Sequence, residues 1–124
     1  MKIQIQHQSL RVRLDERELA QLLGGEMVEN HIALAGQGSW RQVVQLNAQP
    51  EPTLAGTPDA LTIRLPLEAV KALSERLPCR DGLSWELSVG GNPVLQLQFD
   101  VDVRDSVRQR GVNKRTDAPI TPAA

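Results

Sequence analysis

Apolar and polar residues alternate over Leu10, Val12 and Leu14, and again over Leu61, Ile63 and Leu65. A period of two is that of a half-buried strand. In both places the period then lengthens to that of a helix, with Leu19 and Leu22 after the first strand and Leu67, Val70, Leu73 and Leu77 after the second. Setting Leu10 onto Leu61, an offset of 51 positions (61 − 10), pairs Val12 with Ile63, Arg13 with Arg64, Leu14 with Leu65, Leu19 with Val70 and Leu22 with Leu73. The chain states one strand-helix unit twice.

Local signals bound the helices. Asp15 followed three residues later by Glu18 is a capping-box pair, in which each side chain accepts from an orphan backbone N–H of the first turn. Gly24 and Gly25 end that helix. Pro66 opens the second, near a position where its missing N–H costs nothing, and Pro78 stops it. A hairpin follows each helix. The first runs from about Met27 to Leu34, turns at residues 36–39 and returns through Trp40, Val44 and Leu46; the second runs from Leu83 to Val89, turns at Gly90-Gly91-Asn92 and returns from Leu95 to Val103. Each repeat reads strand, helix, strand, strand.

Two stretches break the pattern. Residues 48–60 carry Pro50, Pro52 and Pro58, and read as an extended connector rather than another element. Ile3 and Ile5 fall on odd positions whereas Leu10, Val12 and Leu14 fall on even ones. With no glycine or proline to mark a turn, a β-bulge at His7-Gln8-Ser9 is expected to absorb the slip. The expected fold is α+β: two βαββ repeats, residues 1–47 and 61–103, in one antiparallel or mixed sheet with both helices on one face. These repeats would form a single domain, followed by a basic tail, 104–124, without fixed structure.

Composition narrows the function classes. A chain of 124 residues can bury a core without metal or disulfide, and its apolar 40% is almost wholly aliphatic, the aromatics being Trp40, Trp85 and Phe99. Three rings make a poor platform for stacking single-stranded bases. The net charge is −1, divided between residues 1–103 (9 Lys/Arg against 13 Asp/Glu, −4) and the tail (5 against 2, +3). So small an excess would grip phosphate weakly and salt-sensitively. No stretch approaches the roughly 18 apolar residues of a membrane span, and a cytoplasmic location is expected. Cys79 is the only cysteine, which excludes an internal disulfide.

Candidate chemistry is sparse. The outward strand positions gather Arg11, Arg13, Arg41, Arg64, Gln45, Gln96, Gln98, Glu86, Asp100 and Asp102 on one polar sheet face. Arg13 and Arg64 are equivalent in the repeat, so a pseudo-twofold could bring two guanidinium forks together, with Arg11 beside them, as an anion site. A solvated antiparallel face is the ordinary account of the same residues. Asp100, Asp102 and Asp105 suit hard cations by type, but edge-strand charge explains them equally. His7, His31 and Cys79 lack the short paired spacings of zinc sites. Cys79 beside Arg80 reads first as a structural thiol at a helix end. There is no nucleophile elbow, phosphate-cradling loop or metalloprotease histidine pair.

The opening MKIQIQHQSLRVRLDERELAQL resembles a family of small uncharacterised bacterial proteins whose N-termini carry a Lys-Ile-x-Ile strand, a Leu/Arg strand and a helix. That resemblance implies no activity. The doubled strand-helix-strand-strand order is similar to the gyrase-inhibitor-like domains, whose paired units present a ligand or partner surface. The function expected from the residues is a non-enzymatic binding or protein-interaction module with no cofactor. Its partner would be a protein or a small anionic ligand, and a homodimer is expected if edge strands and tryptophans are exposed. The alternatives are a small-molecule sensor with a pocket between the repeats and a weak nucleic-acid binder acting through the tail.

Overall fold

The computed structural model describes residues 1–78 and 82–103. Cys79, Asp105 and the basic tail, singled out above, lie outside the described residues. In chain order the elements are β1 (Lys2–Gln6), β2 (Ser9–Asp15), α1 (Glu16–Leu23), β3 (Val28–Ala33), β4 (Ser39–Asn47), β5 (Thr53–Thr57), β6 (Ala60–Pro66), α2 (Leu67–Glu75), β7 (Leu83–Leu87) and β8 (Leu95–Asp102).

Both halves of the expected capping box are present. The Asp15 carboxylate accepts from the Glu18 N–H at 2.7 Å, and the Glu18 carboxylate accepts from the Asp15 N–H at 3.1 Å. Asp15→Ala leaves a first-turn donor unmatched and is expected to lower stability by about 1 kcal/mol. Urea denaturation checks this: the midpoint should fall while the slope stays unchanged. The helices bury equivalent stripes, Leu19 and Leu22 in α1, Val70 and Leu73 in α2.

Two expectations are corrected. The slip at residues 7–9 is a tight turn, not a bulge: Gln6 pairs with Ser9 across a two-residue loop in which His7 takes φ 54°. Glycine ordinarily fills that position in a hairpin, but histidine is among the side chains that tolerate positive φ. The turn pairs Ile3 with Val12 and Ile5 with Leu10, so odd and even positions share one face. The connector also contains a strand, because Thr53–Thr57 pairs antiparallel with β6 between its flanking prolines. Each repeat is thus strand, strand, helix, strand, strand.

The α+β class, the mixed pairing and an arrangement compatible with two repeats are as expected, but the strands divide between two four-stranded sheets, ordered β1-β2-β8-β7 and β3-β4-β6-β5. Each sheet takes one hairpin from each repeat and joins them through a parallel central pair, β2 with β8 and β4 with β6. Two helices of 8 and 9 residues explain the division. Each is about 12–14 Å long, whereas an eight-stranded sheet would be nearly 40 Å wide. So little helix cannot cover so wide an apolar face, and the two inner faces cover each other instead.

The register is compatible with the offset between the two halves of the chain. Val12 lies opposite Phe99 in one sheet and Ile63 opposite Val44 in the other. Val12 and Ile63 differ by 51 positions (63 − 12), but Val44 and Phe99 by 55 (99 − 44), so four extra residues enter the second repeat between Leu73 and Leu83. One apolar cluster draws on both sheets and both helices, with Val12, Leu14, Val44, Ile63, Leu65, Leu97 and Phe99 fully buried. Helix α1 touches strands of both sheets and α2. It starts where β2 ends, as α2 starts where β6 ends, so the helices close that end of the sandwich. Among the described residues no helix closes the other end, where the β1–β2 and β5–β6 turns lie.

Candidate functional site

A cleft of about 390 Å³ opens at the helix-free end. Ile3, Ile5 and Leu10 line it from the β1–β2 hairpin, Trp40 and Gln42 from β4, and Leu54, Gly56, Leu61 and Ile63 from the β5–β6 hairpin. Residues of both repeats and both sheets therefore meet there. An adjoining hollow of about 360 Å³ shares Ile3, Ile5, Trp40 and Gln42 and extends to Asn30, His31 and Ile32 on β3. At the mouth Ile5 is 61% exposed and Trp40 37%, with Ile32 and Leu54 also exposed. Large apolar side chains clustered in this way are the kind of surface that marks a binding site.

Gly56 contributes to the opening. It occupies the repeat position of Ile5, five residues into its unit, and opposes Leu61 as Ile5 opposes Leu10. Its φ is +86°, and a Cβ there would stand 2.4 Å from the Ala60 carbonyl oxygen. The hairpin geometry requires glycine at this point, so no side chain fills the space that an isoleucine occupies in the other repeat. The adjacent turn is held by the Thr57 hydroxyl, which donates to the Asp59 carboxylate at 2.6 Å. That bond, followed by one from the backbone of Asp59 itself, holds the Asp59 carboxyl below its ordinary pKa against desolvation.

Gln42 is the anomaly in the cleft. It pairs with Leu61 in the β4–β6 ladder as Leu97 pairs with Leu10 in the β2–β8 ladder. The two are equivalent, yet Leu97 is fully buried hydrocarbon and Gln42, only 6% exposed, is a primary amide. Its amide lines both the cleft and the adjoining hollow, and it is not among the enclosed, unpaired side-chain atoms of the described residues, which are Arg13 Nε and Asp100 Oδ1. The sequence held a signal for it: Trp40, Val44 and Leu46 set an alternation that places Gln42 on the same apolar face.

The arginines singled out in the sequence are distributed otherwise than expected. Arg11 and Arg13 project from β2 on the outer face of the first sheet and share Asp100 of β8. Arg11 binds it through Nη2 and through Nε, the latter at 3.1 Å. Arg13 Nε stands 3.3 Å from Asp100 Oδ1 without hydrogen-bond alignment, and neither atom has another partner. Two guanidinium groups thus flank one largely buried carboxylate. Arg64, between the buried Ile63 and Leu65, lies on the outer face of the second sheet with Gln45 and Arg41, the last paired with Glu29. The structure does not bring Arg13 and Arg64 together, because the exchange of hairpins sends equivalent strands to different sheets. Gln96, Gln98, Glu86 and Asp102 stay with Arg11 and Arg13 on the first sheet. Among the described residues no group of three His, Cys, Asp or Glu is placed to hold a metal.

The architecture is that of an α+β protein with two helices and two four-stranded mixed sheets, an arrangement compatible with two repeats. By sequence the chain belongs to a family of unknown function, DUF7009, whose family model matches residues 1–104. That match includes every strand and helix described here. No curated protein and no solved structure matches the chain. Among the described residues no helix is long and apolar enough to cross a membrane.

Proposed function

We propose that this protein is a binding module that takes one small, mostly apolar molecule into the cleft between its repeats. The observation that carries this reading is the cleft of about 390 Å³ left open where no helix closes the sandwich. That volume is at the small end of the range of ligand sites, which are mostly apolar with a few placed polar groups. The lining fits: apart from Gln42 and Thr57 its side chains are hydrocarbon or indole. Such a surface holds a molecule rather than transforming it.

The neutral fluorophore N-phenyl-1-naphthylamine tests the proposal. It should bind saturably, one per chain, with a Kd on the order of 1–100 µM, the range set by modest ligand efficiency for a molecule of this size. Leu54→Trp, which adds bulk at the mouth of the cleft where Leu54 is already exposed, should weaken binding at least tenfold without unfolding the protein. Unsaturable binding, or binding indifferent to Leu54→Trp, would overturn the assignment.

A further inference from the structure

We infer that the ligand is an uncharged amphiphile whose head group both donates and accepts a hydrogen bond, and that the Gln42 amide is its anchor. This rests on the reading of the cleft as a binding site and specifies what the site selects.

The first argument is the broken symmetry. The fold buries leucine comfortably at the equivalent place, since Leu97 is fully enclosed. A leucine at position 42 would meet the same ladder partner in the opposite sheet, Leu61 in place of Leu10. Packing therefore does not ask for an amide there. What the amide adds is a hydrogen-bonding group in the wall of an otherwise apolar cleft, open to the head group of a ligand.

The second argument is the chemistry of the amide. It offers one carbonyl acceptor and two N–H donors side by side. A carboxamide head, which presents the complementary pair, engages both; an alcohol can do so through one oxygen; a pure hydrocarbon engages neither. Depth adds to the selection. Trp40 lies two residues nearer the start of β4 and is exposed, whereas Gln42 is buried, so the head must travel inward while the tail rests against Trp40, Leu54 and Ile5.

The third argument is charge. The cleft lining contains no lysine, arginine, histidine, aspartate or glutamate, and the adjoining hollow adds only His31. A carboxylate or ammonium brought to Gln42 would lose its hydration without gaining a counter-ion, which is strongly unfavourable. The site is therefore expected to reject charged heads as firmly as it accepts neutral ones.

Displacement of N-phenyl-1-naphthylamine by octanamide, 1-octanol and octanoate at pH 8 in wild type, and direct titration of octanamide and octanoate into wild type and Gln42→Leu, separate these claims. In wild type, octanamide should bind at least tenfold more tightly than octanoate, with 1-octanol between. In Gln42→Leu the advantage of octanamide over octanoate, each titrated directly by calorimetry, should shrink at least fivefold. If Gln42→Leu does not fold, Gln42→Met carries the same comparison. Octanoate binding as well as octanamide in wild type, or an undiminished preference in Gln42→Leu, would overturn the inference and leave the cleft a binding site. Failure of wild type to bind the fluorophore at all would overturn both.

Discussion

Phe99→Ala should destabilise the protein by about 3–5 kcal/mol, the largest effect expected of any single truncation in the core. Phe99 is the only phenylalanine in the chain and the largest of the fully buried side chains. It sits on the inner face of β8 between Val12 on one neighbouring strand and Leu83 on the other. Its ring therefore contacts both hairpins of the first sheet and the cluster beneath them. An alanine leaves a void that the surrounding β-ladders can close only by moving backbone, and void volume that does not collapse adds to the lost transfer energy. Against a total stability of about 5–15 kcal/mol for a domain of this kind, the urea midpoint should fall by about a fifth or more. A loss below about 1.5 kcal/mol would mean that the ring is not the centre of the packing described here.

Gly82→Ala is the second large effect, with an expected loss above about 2 kcal/mol. The residue has φ +46°, a region that costs an L-residue about 1–2 kcal/mol. A new Cβ would also stand 2.5 Å from the Phe99 carbonyl oxygen and 2.7 Å from the Asp100 Cβ. The first of these is backbone in a central strand and cannot swing aside. The second belongs to the carboxylate that Arg11 and Arg13 share, so relief of the clash would disturb that pairing as well. Gly36→Ala is the control. Its φ is +85°, but nothing lies within 4 Å of its Cβ, so it should cost only the conformational penalty of about 1 kcal/mol. Equal losses from the two substitutions, measured by denaturation, would show that close approach at Gly82 contributes nothing.

Much of the fold was legible because its signals are local. Leu10, Val12 and Leu14 alternate, Asp15 and Glu18 cap, and Leu19 and Leu22 follow at helical spacing; the second copy repeats this with Ile63, Leu65, Val70 and Leu73. The missing parts are those in which local signals are weak or mislead. Histidine at position 7 conceals a turn that glycine would have announced. The strand Thr53–Thr57 is short, contains Gly56 and lies among prolines, so its pairing with β6 decides its state rather than its own propensity. In the first sheet the exchange of hairpins is a property of pairing across more than 80 positions, for instance Ser9 with Gln96, which no periodicity encodes.

The candidate site divides in the same way. Arg13 and Arg64 were conspicuous because the repeat aligns them, yet equivalence under a pseudo-twofold does not require proximity, and they end on different sheets. Gln42 was readable as a polar residue in an apolar register, but its meaning emerged only when the ladders matched it with Leu97. Asp100 was assigned correctly to the outer face of its strand. Its burial, however, comes from Arg11 and Arg13 lying across it, which one sequence position cannot reveal.

The division of each sheet between the two repeats sets an order on biosynthesis. The sheet containing β3, β4, β5 and β6 has all its strands once residue 66 has left the ribosome, whereas the other must wait for Leu95–Asp102. Translation at roughly 5–20 residues per second puts several seconds between the emergence of β2 and that of the strand that will flank it. During that interval Leu10, Val12 and Leu14 belong to an apolar hairpin with an open edge, the kind of segment that recruits foreign strands. A nascent chain stalled short of Leu95 is therefore expected to be far more aggregation-prone than one that includes β8, and the vulnerable sequence in it is the β1–β2 hairpin.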